Sequence, residues 1–197
     1  MAISTGVAFG QSRELWLDAG ASILSGTNRI GSPFSDGARS DVQLNNGYRL
    51  GFRFDWNTRG SFSHEFQYAY NRMDLTDNTG VILSGSPTAG MAIHQIGNNV
   101  LYCLPAKEGA KLRPFVTAGV HFSDFVLPGS ANPTGSSVKP GGNFGVGAKL
   151  RLSQLFGGRF DLREYVTGKP NWDSTLFRQG PSAMFQTEAT AGIGVHF

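Results

Sequence analysis

The sequence predicts an all-β fold, an eight-stranded antiparallel up-and-down transmembrane β-barrel. Three observations predict it: apolar and polar residues alternate in segment after segment, long and short connections alternate, and the composition is rich in Gly and Phe but poor in charge. Among 197 residues there are 27 Gly and 15 Phe, and charged residues make up only 16%. A mean hydropathy of −0.18 suits such a chain, since alternating faces average out. No run near 18 apolar residues offers a membrane-spanning helix. A single cysteine, Cys103, excludes an internal disulfide framework.

Taken in order, residues 1–12 lack both the basic start and the apolar core of roughly 7–15 residues that a secretory signal carries. Removal of a signal is therefore expected, leaving a flexible N-terminal segment ahead of a single barrel domain within 1–197. The first strand sets Leu15, Leu17, Ala19, Ala21 and Ile23 against Glu14, Trp16, Asp18, Gly20 and Ser22. The second is the most regular: Tyr48, Leu50, Phe52, Phe54 and Trp56 alternate with Arg49, Gly51, Arg53, Asp55 and Asn57. After a tight turn at Thr58 to Gly60, Phe62, Phe66, Tyr68 and Tyr70 oppose Ser63, Glu65, Gln67, Ala69 and Asn71, and His64 is the one polar residue on the apolar face. The fourth strand, within 93–104, is less regular, with Ile96, Val100, Tyr102 and Leu104 as its apolar face.

The fifth opposes Leu112, Pro114, Val116, Ala118, Val120 and Phe122 to Arg113, Phe115, Thr117, Gly119 and His121. In the sixth, Phe144, Val146, Ala148, Leu150 and Leu152 face away from Gly145, Gly147, Lys149 and Arg151. The seventh has Phe160, Leu162 and Val166 against Arg159, Asp161, Arg163 and Tyr165, with Glu164 off pattern. The last runs to the terminus, Thr187, Ala189, Ala191, Ile193, Val195 and Phe197 against Gln186, Glu188, Thr190, Gly192, Gly194 and His196. Long connections at 25–45, 74–91, 123–142 and 168–182 alternate with short ones at 58–60, 105–111 and 153–157. Such asymmetry is that of a barrel with short periplasmic turns and long outer loops.

Volume assigns the faces. An eight-stranded barrel has an interior only just wide enough to be filled by side chains, and Gly20, Gly51, Gly119, Gly145, Gly147, Gly192 and Gly194 all lie on the polar face. Glycine relieves crowding inside a narrow tube and only weakens a strand outside it. The apolar face is therefore expected to meet lipid, with Tyr48, Trp56, Phe62, Tyr70, Tyr102, Phe122, Phe144, Phe160 and Phe197 at the membrane interfaces. A soluble carrier, with the greasy face inside, is the inverse arrangement and would fold in plain buffer.

The charges then belong to the lumen: Glu14, Asp18, Asp55, Glu65, Asp161 and Glu188 against Arg49, Arg53, Arg113, Lys149, Arg151, Arg159 and Arg163. Charged groups in a narrow lumen must pair and hydrogen-bond, so a plug of ion pairs is expected. A gated small-ion path is the alternative. The net charge of +3 and pI of about 9.2 give no motive for nucleic acid, because much of the basic total lies in this interior. The long loops mix Arg29 and Arg39 with Asp36 and Asp41.

Eight such strands, the alternating connections and the terminal Ala191, Ile193, Val195 and Phe197 series resemble the OmpA/OmpX-like outer-membrane barrels of diderm bacteria. The stretch from Arg159 to Thr167 also resembles a strand common in small barrels of that kind. The resemblance covers Arg13 to Phe197, the barrel alone. It implies a bacterial outer-membrane location, outer-membrane lipid and lipopolysaccharide as surroundings, recognition of the Phe197 segment by the barrel assembly machinery, a monomer, and no cofactor. A non-enzymatic role follows, with four long outer loops for surface interaction or envelope integrity.

Some small outer-membrane barrels are lipid A hydrolases, with His and Ser two residues apart on a strand. His121-Phe122-Ser123 has that spacing. Parity turns His121 and Ser123 toward the lumen, however, and Asp124 the other way, so lipid A could not reach them. His64, His94 and His196 make no pair with metal-ligand spacing. The glycine-rich run from Gly141 to Lys149 lacks the Gly-Lys-Ser/Thr ending of a phosphate loop. Cys103 reads as a small core residue, and Trp172 as a loop residue that anchors at the headgroups, contacts a partner or packs on its own loop.

Overall fold

The computed structural model describes residues 13–25, 29–31, 42–58, 60–78, 83, 86–105, 110–129, 131, 136–170 and 183–197. The expectations for residues 1–12, for Asp36, Arg39 and Asp41, and for Trp172 fall outside these. The strands are β1 (Arg13–Ser25), β2 (Arg29–Gly31), β3 (Val42–Asn57), β4 (Phe62–Asp77), β5 (Thr88–Cys103), β6 (Leu112–Val126), β7 (Ser136–Arg151), β8 (Phe156–Gly168) and β9 (Ala183–His196). Each long strand is antiparallel to its chain neighbour, and β1 bonds both β9 and β3, which closes eight strands into a barrel. The three-residue β2 is a short addition beside β3. Closure satisfies every ladder, as hydrocarbon requires.

The faces alternate as the amino-acid pattern dictates. Arg49, Arg53, Asp55, Glu65, Arg159 and Arg163 are buried inside, whereas Ile193 is 71% and Leu17 60% exposed outside. Inward glycines make room for large neighbours. A Cβ on Gly51 would meet the Asp18 carboxylate, and one on Gly194 would meet the Trp16 ring. Trp16 cannot retreat, because Lys149 and Arg159 pack over it. Gly194→Ala is therefore expected to cost about 1–3 kcal/mol of overpacking in urea unfolding from micelles. The same change at outward-facing Gly158, where the nearest atom is 3.9 Å away, is expected to be neutral or mildly stabilising.

Short turns join the strands at one end. At the first, Gly60 takes φ of +105°, a region open to glycine without steric cost. At the third, Ser153 Oγ accepts from the Phe156 amide at 2.9 Å. The opposite end departs from the expected loops: residues 42–45, 74–77, 88–91, 123–126 and 136–142 are strand, so the barrel is taller than the apolar face alone implied. In this upper part the two faces exchange polarity. Val42, Leu44, Met73, Leu75, Met91, Ile93, Phe125 and Met184 point inward into one buried apolar cluster, while Arg72 and Asp74 are exposed outside. Strands that stand above a membrane have water on their outer surface, and so bury their apolar side within. The lumen is thus polar over one part of its length and apolar at the loop end, a correction to a uniformly polar interior.

A register shift between Leu44 and Gly47 lets β3 take part in both regimes. One extra residue there turns even-numbered Val42 and Leu44 inward, where below it odd-numbered Arg49 and Arg53 point in. Asn45 and Asn46 supply local bonds, Asn45 Nδ2 donating to Thr76 Oγ1 at 2.8 Å and the Leu24 amide donating to Asn46 Oδ1 at 3.0 Å.

Candidate functional site

Below the apolar cluster the lumen is filled by one continuous set of ion pairs. Arg159 sits at its centre: Nη1 donates to Asp55 Oδ2 at 2.9 Å, Nη2 to Glu65 Oε2 at 2.5 Å and Nε to Asp161 Oδ2 at 2.7 Å. Arg163 bridges Glu65 at 2.8 Å and Asp161 at 2.7 Å. Arg53 joins Asp161 at 3.1 Å to Asp18 at 2.9 Å. Arg49 lies 3.9 Å from Asp18 and 2.6 Å from Glu188. Toward the short turns, Lys149 Nζ is 2.5 Å from both Glu14 and Asp55. Arg159 holds three carboxylates through its planar fork, each nitrogen donating in a fixed direction, whereas the Lys149 ammonium acts as a point charge between two.

The strand pairing explains why these groups meet. Inward positions on strands that are neighbours, such as Asp55 opposite Glu14 and Glu65, would repel unless cations came from the far wall, and β8 supplies Arg159 and Arg163 there. Rings pack on the cations: Arg159 lies 4.9 Å from the Phe115 centroid and Arg49 5.3 Å from that of Tyr165. Tyr165 donates its hydroxyl to Gln67 Oε1 at 2.9 Å. Cys103 is buried inside with Leu101 and Phe115.

Two of the thirteen expected lumen charges stand apart. Arg113 is half-buried at the short-turn end and, among the described residues, donates only to the Gly60 carbonyl at 3.3 Å, and Arg151, the last residue of β7, is exposed. Both point the right way but sit too near the rim to reach the acidic cluster. Of the nine aromatic positions, Trp56, Phe62, Tyr102 and Phe197 are exposed at the short-turn end, with Phe62 and Tyr102 5.1 Å apart. Tyr48, Tyr70 and Phe122 lie where the faces exchange polarity, Tyr70 half-buried against His94 at 5.4 Å. Phe144 is exposed but sits in mid-strand, because β7 begins at Ser136. Phe160 is likewise four residues inside β8, and Phe156, which the sequence reading passed over, is the aromatic at that strand's end.

His121 and Ser123 are buried inside the barrel. His121 Nε2 lies 2.8 Å from Thr167 Oγ1, and among the described residues neither His121 Nδ1 nor Ser123 Oγ has a hydrogen-bond partner. Asp124 faces the other way, opposite His94. His94 bonds Tyr68 across the ladder at 2.8 Å, and His196 approaches Glu14 at 3.4 Å. Off-pattern Glu164 accepts from Thr187 Oγ1 at 2.5 Å. Among the described residues no three His, Cys, Asp or Glu side chains gather as a metal site would require.

No model of a protein family matches the chain, nor does any curated protein. Solved structures do. The outer membrane protein AlkL in DMPC lipid bilayers aligns with a TM-score of 0.63 at 12% identity, over 100% of this chain and 95% of that one. Neisserial surface protein A gives 0.57 at 14% identity, over 95% and 100%. The outer membrane protein OprG from Pseudomonas aeruginosa gives 0.54 at 13%, over 95% and 97%. Identities this low speak for architecture alone, and architecture is what the closed ladder and apolar exterior already carry. In fold, the chain is similar to the small eight-stranded outer-membrane β-barrels of the OmpA/OmpX-like kind.

Proposed function

We propose that this chain is a non-enzymatic barrel of the bacterial outer membrane, sealed to ions, whose rigid wall displays four outer loops for surface interaction or envelope integrity. The observation that carries this reading is the ion-pair chain across the lumen from Glu188 to Glu14, closed above by the apolar cluster. An ion entering would have to break paired charges and then cross an apolar section. Outer-membrane lipid and lipopolysaccharide surround the wall in this reading, with aromatic rings at both interfaces. The barrel assembly machinery reads the series that ends at Phe197, and the folded barrel is a monomer. Loops held on a rigid scaffold are where binding residues concentrate.

Planar bilayers containing the purified chain are expected to stay electrically silent in potassium chloride, and lipid A from cells expressing it to keep its acyl chains by mass spectrometry. Steady conductance steps would replace this reading with the narrow channel. Shortened lipid A, lost on His121→Ala or Ser123→Ala, would replace it with the hydrolase.

A further inference from the structure

The short-turn mouth of the lumen collects more positive charge than the described residues neutralise. On facing strand ends Arg113 lies opposite Lys149, and one step out the Arg151 amide donates to the Lys111 carbonyl at 2.8 Å. Two like-charged pairs therefore stand side by side, Arg113 with Lys149 on β6 and β7 and Lys111 with Arg151 at their ends, an arrangement that is destabilising by itself. Lys149 is relieved by Glu14 and Asp55. Among the described residues no carboxylate is within ion-pair distance of Lys111, Arg113 or Arg151. The nearby acids are already committed to the network, Glu14 also accepting from Trp16 and Asn57. Arg113 is held across the mouth by its bond to the Gly60 carbonyl, and among the described residues its other N–H groups have no side-chain acceptor. These cations border a cavity of about 390 Å³, whose wall also includes Leu150, Gln154, His196, Phe197 and Glu14, the last already paired with Lys149.

We propose that this mouth binds a phosphate group, with Arg113 and Arg151 as the forks and Lys111 as the third charge. A phosphate offers several acceptor oxygens and up to two negative charges, the chemistry that guanidinium forks engage bidentately. Bound there, it would turn two repelling pairs into a bridged set. Phe197 is 63% exposed, so a phosphate on a lipid headgroup could lay its chains on the apolar side of the same cavity. A free phosphate would use the cations alone.

The test uses the whole chain refolded in dodecyl maltoside, which carries no phosphate. Calorimetric titration with inorganic phosphate and with dihexanoyl phosphatidic acid, at ionic strength fixed by chloride, is expected to show binding that weakens at least tenfold in the double variant R113Q/R151Q. That variant removes one member from each like-charged pair and touches no ion pair of the network, so its unfolding midpoint without phosphate should equal or exceed that of the parent. A tenfold preference for phosphatidic acid assigns the site to a lipid headgroup, and equal affinities assign it to a soluble phosphate. Absence of heat with both probes, equal binding by parent and variant, or a response that chloride reproduces would overturn the proposal.

Discussion

Replacing Arg159 with methionine is expected to lower the unfolding free energy by about 3–5 kcal/mol, the cost of stripping buried carboxylates of their partner. The guanidinium lies within 2.9 Å of Asp55, Glu65 and Asp161 together, and is fully buried. Methionine keeps much of the volume against Phe115 and Trp16, so the loss reports charge more than packing. Six carboxylates then share four bases, where they shared five. Arg159→Lys restores the charge but cannot reach three carboxylates at once, and should recover only part of the loss. Arg113→Gln, outside the network, should stay within about 0.5 kcal/mol. Equilibrium urea unfolding in phospholipid vesicles measures all three. A loss near that of Arg113→Gln would mean that the ion pairs fill the lumen without holding it together.

The second large effect is on the outer face. Phe52→Arg is expected to cost about 2–4 kcal/mol in the same measurement, the range for a cation at the bilayer midplane. Phe52 lies midway between Tyr48 and Trp56, with Leu17 and Tyr68 as its cross-strand partners. Leu150 faces outward too, yet it is next to the last residue of β7. Arginine there can lift its head into the interface, so Leu150→Arg should cost about 0–1 kcal/mol. Equal costs at the two sites would mean that hydrocarbon does not end near the short turns. No cost at Phe52 would mean that hydrocarbon does not bathe this face.

What the amino-acid pattern carried well was the inside and outside of the membrane zone. From Tyr48 to Trp56 the alternation is unbroken, and eleven of the inward charges found from parity do meet as ion pairs. What it carried poorly was length. A reading that follows the apolar face ends each strand where that face turns polar, at Arg72 and Asp74 or at Asp124, although the ladder continues. There the alternation persists with its meaning reversed, and at Leu44 to Gly47 a bulge also shifts its phase. The error moved Phe144 from mid-strand to a strand end. Parity likewise gives direction but not height, which is why Arg113 and Arg151 looked like members of a cluster they are too near the rim to join.

The double bonding of β1, to β9 on one side and β3 on the other, makes the wall a ring with no natural starting point. Synthesis, by contrast, is linear, and β9, which completes the circle, is made after the other barrel strands. Every shorter nascent length is an open sheet with two rows of bare amide and carbonyl groups, which hydrocarbon cannot accept. Closure, and with it a wall that hydrocarbon accepts, must therefore wait for β9.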